Sequence, residues 1–151
     1  MHRGWQVIGS LLGGLSLGLA GCAVTDQPGG SIRHVYVREA TGATLSDLLV
    51  HDAVIHDTSV RVLSGRGYVA ALEPSAADAL LRSAWIVRPP AEGAGAPKVS
   101  LRLTLERKDG RILRSFVAIE EVPVRFLSPE RVADQVRARL GTINRGPTAA
   151  P

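Results

Sequence analysis

The stretch Lys98–Glu120 limits the fold of this 151-residue chain more than any other. Val99, Leu101, Leu103 and Leu105 alternate with Ser100, Arg102, Thr104 and Glu106, the period of a half-buried strand. Asp109-Gly110 then marks a hairpin. A two-residue loop would set Leu105 opposite Arg114 and Val99 opposite Glu120. A three-residue loop, Lys108-Asp109-Gly110 with Gly110 left-handed, sets Leu105 opposite Leu113, Leu101 opposite Val117 and Val99 opposite Ile119. The second register buries one clean apolar face and is the one expected. It places Leu103 and Val117 in the core, and Arg102 and Arg114 in water. A hairpin with an apolar face is marginal alone, so the remaining elements must cover it.

The candidates follow in order. Ser31–Glu39 alternates, with Val35 and Val37 on one face, and reads as a strand. Thr41-Gly42-Ala43 breaks the pattern, and Thr44 or Ser46 is placed to cap a helix. Leu45–Ser64 reads as one long helix. At 100° per residue Leu45, Leu49, Ala53, Val60 and Leu63 form one apolar column, and Leu48, Ile55 and Val62 a second. Asp52, His56 and Ser59 lie between them. Asp47, His51, Asp57, Thr58 and Arg61 take the wet face, and Gly65 and Gly67 supply the stop. Tyr68–Leu72 is a short strand that turns out at Glu73-Pro74-Ser75. Ala79–Arg88 carries apolar residues on both faces and reads as a central strand, with a short helix over Ala76–Leu81 as the alternative. Pro89–Pro97 is a loop, since its prolines cannot pair inside a sheet. Pro123 ends strand pairing, and Ser128-Pro129-Glu130 opens a last helix with proline at its first position. Val132, Ala133, Val136 and Leu140 form its narrow apolar stripe, Arg131, Arg137, Arg139 and Arg145 its other side, and Gly141 its stop. The expected fold is α+β: a single two-layer sandwich of one mixed or antiparallel sheet, about four to five strands, with two helices packed on it. The domain spans residues 31–140, and residues 141–151 are a disordered tail.

The N-terminal end carries a different message. Met1–Gly21 opens with His2 and Arg3, runs apolar from Trp5 to Ala20, and ends in Leu19-Ala20-Gly21-Cys22. A charged start, a short apolar run and small residues before a cut are the parts of a secretory signal peptide. Gly9, Gly13, Gly14 and Gly18 weaken any permanent membrane helix there. The tetrapeptide resembles the lipobox of bacterial lipoproteins at all four positions. The resemblance implies recognition of Leu19, Ala20 and Gly21 by a signal peptidase, and a lipid on Cys22 that anchors the chain in a membrane. An ordinary signal peptide with a chance cysteine is the competing reading. Cys22 is the one cysteine of the chain, so it has no internal disulfide partner. Residues 22–30 read as a tether. Ala23 stands where, in enteric-type lipoproteins, an Asp resembles an inner-membrane retention signal. That favours the outer membrane of a Gram-negative cell, and the expected place is its periplasmic face.

The order strand, long helix, strand, strand, loop, hairpin and helix behind a lipobox resembles a group of small envelope lipoproteins. These include the auxiliary lipoproteins of membrane-spanning lipid transporters and the lipopolysaccharide-assembly lipoprotein. The residues that carry the likeness are Arg66-Gly67-Tyr68-Val69, Ala77-Asp78-Ala79-Leu80-Leu81, and Asp109-Gly110-Arg111 with Phe116. The resemblance implies an α/β sandwich and a non-enzymatic accessory role in an envelope complex.

Chemistry is thinly signposted. Lys and Arg total 18 against 14 Asp and Glu, a formal net charge of +4. That balance suits anionic headgroups and is too mild to demand nucleic acid, and no nucleic-acid partner is expected. No phosphate loop, zinc spacing or calcium loop occurs, so no cofactor and no metal are expected. Asp52 and His56, four apart on a helix, are the best polar constellation, read as a hydrogen-bonded pair. His51 and His56 diverge on a helix and do not share a metal. Asp78 reads as a turn acceptor, and Glu120-Glu121 as a solvated strand end. Asp52, His56, Arg131, Arg137 and Arg139 are the candidate contacts to a partner or a lipid, and no residue is a candidate catalyst. The function expected is an accessory subunit of a lipid transport or assembly complex, the alternative a lipid- or small-ligand-binding module.

Overall fold

The computed structural model describes residues 31–90 and 95–144. One five-stranded sheet runs in the order β2-β1-β3-β4-β5. Its strands are β1 (His34–Val37), β2 (Val69–Ala70), β3 (Ala79–Arg88), β4 (Lys98–Arg107) and β5 (Ile112–Pro123). β1 is parallel to both β2 and β3, while β3, β4 and β5 form an antiparallel meander. A single turn, α1 (Ser46–Leu49), leads into α2 (Asp52–Gly65), and α3 (Pro129–Leu140) closes the domain. This is the α+β sandwich of one mixed sheet under two helices.

All the helices cover the same face. Val35 and Val37, Leu81 and Trp85, and Leu101, Leu103 and Leu105 point to it, and meet Ile55 and Leu63 of α2 and Val132, Val136 and Leu140 of α3. β3 is central, as expected, since it is flanked on both sides. A 3-10 turn over Pro74–Ala76 precedes it in place of a helix reaching Leu81. The other face has no second layer among the described residues. It carries ion pairs of Arg82 with Glu106, at 3.3 Å, and of Arg88 with Glu121.

The hairpin turn forms as its chemistry requires, but the register does not. Gly110 has φ +87°, and its N–H donates to Arg107 O at 2.9 Å, so the loop is Lys108-Asp109-Gly110. Glu106 pairs with Ile112, in the expected phase. Three bulges then shift β5 against β4. Leu105 lies opposite Arg114, Leu103 opposite Phe116, Leu101 opposite Ile119, and Val99 opposite Val122. The pairs Leu105–Leu113, Leu101–Val117 and Val99–Ile119 are therefore corrected. Phe116, Ala118, Ile119 and Val122 do not alternate, and each bulge re-phases the strand so that they reach the core. Val117, expected inside, turns to the open face opposite Arg102.

The helices differ from expectation in two ways. The long helix breaks at Val50–His51, and its start at Leu45 has no side-chain cap from Thr44 or Ser46. Its buried line is Leu48, His51, Ile55, Thr58, Ser59 and Leu63. His51 and Thr58, assigned to water, are inside, while Leu49 is 58% exposed. Small polar side chains at Thr58 and Ser59 admit close packing that an apolar count overlooks. α3 forms as expected: the Ser128 hydroxyl accepts Arg131 N–H at 3.2 Å, with Pro129 at the first position. The chain stays packed past Gly141. Ile143 is buried in the core and Tyr68 Oη donates to Asn144 O at 3.1 Å, so the start of the expected tail belongs to the domain.

A candidate binding groove beside the first strand

β2 is only Val69–Ala70, shorter than the expected Tyr68–Leu72. It pairs with β1 at His34 and Val35 and then leaves the sheet. α2 passes alongside, presenting Asp52, Ala53, His56, Asp57 and Val60, which share one side of a helix by their spacing. Between them lies a groove of about 540 Å³. Tyr36, Val37 and Glu39 form its floor and one end, and Ala70, Ala71 and Leu72 its lip. Leu72 is 94% exposed, and the three carboxylates of Glu39, Asp52 and Asp57 make the rim acidic.

Asp52 and His56 both reach this groove, but the expected pair does not form. Asp52 Oδ1 accepts from Trp85 Nε1 at 3.3 Å, and His56 Nδ1 lies 3.2 Å from Asp57 Oδ1. Ser59, grouped with them in the sequence, is buried elsewhere in the core, its hydroxyl unpartnered among the described residues. The helix is rotated so that the seam lies at the groove rather than between apolar columns.

The residue that sequence reasoning missed is His51. It is buried against Trp85, with ring centroids 6.3 Å apart, and its Nδ1 has no partner among the described residues. Burial holds its imidazole below the ordinary value, against the opposing pull of Asp52. The folded state therefore keeps His51 neutral, while the unfolded chain takes up a proton near pH 6.5. Stability from this source is fully present above about pH 6.5 and is lost as pH falls through the lower, folded value. A thermal melt at pH 7.5 and at pH 5.5 should show a lower midpoint at pH 5.5. In His51→Leu the difference between the two should shrink, and an unchanged difference would assign the loss to other groups.

The other candidates lie elsewhere. Asp78 Oδ2 accepts the N–H groups of Arg33 and His34 at 2.9 and 2.8 Å. These donors hold its carboxyl below the usual range, so it ties the start of β3 to β1. Arg131 and Arg139 flank a cleft of about 210 Å³ between α3 and β5, while Arg137 pairs with Asp134 at 2.5 Å. β5 stands at the far edge of the sheet from β2, and none of these arginines lines the groove. Leu19, Ala20, Gly21 and Cys22, with the tether at residues 22–30, lie outside the described residues. Among the described residues no group of three or more His, Cys, Asp or Glu is placed to hold a metal ion. No helix there is long and apolar enough to cross a membrane.

No family model matches the chain, and no curated protein matches it. Among solved structures it is similar to a PelC variant, crystallised as a dodecamer, from Paraburkholderia phytofirmans. The identity is 15%, over 72% of this chain and 83% of that one, with a TM-score of 0.47. It is also similar to protein XCC0632 from Xanthomonas campestris, at 15% identity over 74% of this chain and 78% of that one, with a TM-score of 0.37. Likenesses this distant decide neither family nor function.

Proposed function

We propose that the chain is an envelope lipoprotein, anchored through a lipid on Cys22 to the periplasmic face of the outer membrane. There it serves as a non-enzymatic accessory subunit of a lipid transport or assembly complex. The observation that carries this reading is Leu19-Ala20-Gly21-Cys22 closing an apolar export segment. The tether at residues 22–30 spans at most about 30 Å fully extended, which keeps the domain close to the bilayer. Its groove beside β1 and its uncovered sheet face supply surfaces for docking.

A second reading, a module that binds anionic lipid headgroups, is favoured by the cleft that Arg131 and Arg139 flank. Guanidinium groups suit phosphate. Glu120 in the same cleft opposes it.

Cys22→Ser tests the anchor. The variant should lose incorporation of a labelled fatty acid and leave the membrane fraction, or accumulate as uncleaved precursor. Labelling that persists would remove the anchor. Purification of the wild-type chain in mild detergent separates the two readings. A stoichiometric protein partner supports the accessory subunit, and a bound lipid without protein supports the module.

A further inference from the structure

The groove is a place where the sheet lacks a strand. Along β1 the backbone groups alternate in direction. Arg38 N–H donates to Leu81 O of β3, and His34 O accepts from Asp78 N–H at the start of that strand, each at 2.9 Å. His34, Tyr36 and Arg38 therefore face β3, and the intervening Val35 and Val37 face the other way. Val35 is met by β2, since its carbonyl accepts Ala71 N–H at 3.0 Å. β2 then departs, and the ladder ends at Val35↔Ala70. The N–H and C=O of Val37, a groove-lining residue that is itself only 4% exposed, turn to the side that β2 has left, and no β2 residue pairs with them among the described residues.

We propose that this groove accepts an extended, basic segment of a partner protein, which adds as a strand beside Val37 where β2 stops. The inference rests on the docking reading above and names the chemistry of what docks. Three properties select this occupant. The peptide group of Val37, unpaired on the β2 side, calls for a donor and an acceptor spaced as on a strand. An acyl chain supplies neither and would leave both groups unpaired. Next, Ala53 and Val60 offer an apolar wall to alternate side chains of an incoming strand. Last, Glu39, Asp52 and Asp57 rim the groove with no Lys or Arg lining it, which favours lysine or arginine on the strand's other side and repels an anionic headgroup. At about 3.3 Å per residue, a three- to four-residue segment spans about 10–13 Å.

The test selects peptides from a displayed random library on the full chain held in detergent. Enriched sequences should alternate apolar residues with Lys or Arg. A synthetic copy of the leading one should slow hydrogen exchange at the Val37 amide by roughly tenfold or more. Ala53→Trp, which fills the groove from an exposed helix position, should fold with an unchanged melting midpoint and lose that binding. Glu39→Lys/Asp57→Lys should weaken it by roughly tenfold or more. No enrichment, enrichment without basic residues, or no protection at Val37 would overturn the proposal. The native complex separates this failure from that of the broader reading. A partner that co-purifies equally with wild type and Ala53→Trp sinks the strand site alone. Absence of any protein partner from wild type sinks the accessory role itself.

Discussion

Leu103→Ala is expected to destabilise the domain by about 2–5 kcal/mol, the range for emptying a fully buried leucine site. Leu103 is 0% exposed, at the middle of the meander, opposite Ser83 on β3 and Phe116 on β5. Strands hold it on two sides and the helices cover it, so the cavity has little freedom to collapse. Domains of this size have about 5–15 kcal/mol in all, so the loss is a large share. Arg114→Ala is the control. Arg114 pairs across from Leu105 yet stays in water, and its removal should stay within about 0.5 kcal/mol. Urea denaturation of both variants checks the pair. Equal shifts of the midpoint would mean that the register of β5 is not the one described.

Gly42→Val should cost about 3 kcal/mol or more, from two sources that add. Gly42 has φ +79°, where a β-branched residue is a genuine outlier and left-handed backbone alone costs about 1–2 kcal/mol. A Cβ there would also stand 2.4 Å from the carbonyl oxygen of Trp85. That neighbour is backbone of the central strand, fixed by the bond from Trp85 N–H to Thr41 O at 2.8 Å, so the segment after β1 must move. Its movement would pull Trp85 from Asp52 and His51. The urea midpoint should fall sharply, and the Trp85 indole N–H resonance should shift even in the remaining folded population. A wild-type midpoint would show that this segment does not lie against Trp85 of β3 in this way.

What the sequence disclosed divides by the range of the interaction. The turn at Asp109-Gly110 and the start of α3 at Ser128-Pro129 rest on neighbouring residues, and both formed as read. The register of β5 rests on what Phe116, Ile119 and Val122 must reach across the core, so a count along one strand chose wrongly for Val117. The face of α2 was misread for a related reason. His51, Thr58 and Ser59 look wet to any apolar tally, and only the packed helix shows them inside. Asp52 and His56 were singled out, but as partners of one another. The groove they line exists because β2 ends after two residues, a fact with no local signature in Tyr68–Leu72.

The two edges of the sheet are unlike. β5 is long, but its three bulges and its exposed Arg114, Glu120 and Glu121 spoil it as a template for another chain. On the proposal above, the gap beyond β2 is the receptive edge, and it is short. A guest strand there would find no straight edge on β5 to copy it onward, so among the described residues the sheet favours one guest per copy over a growing chain of paired sheets.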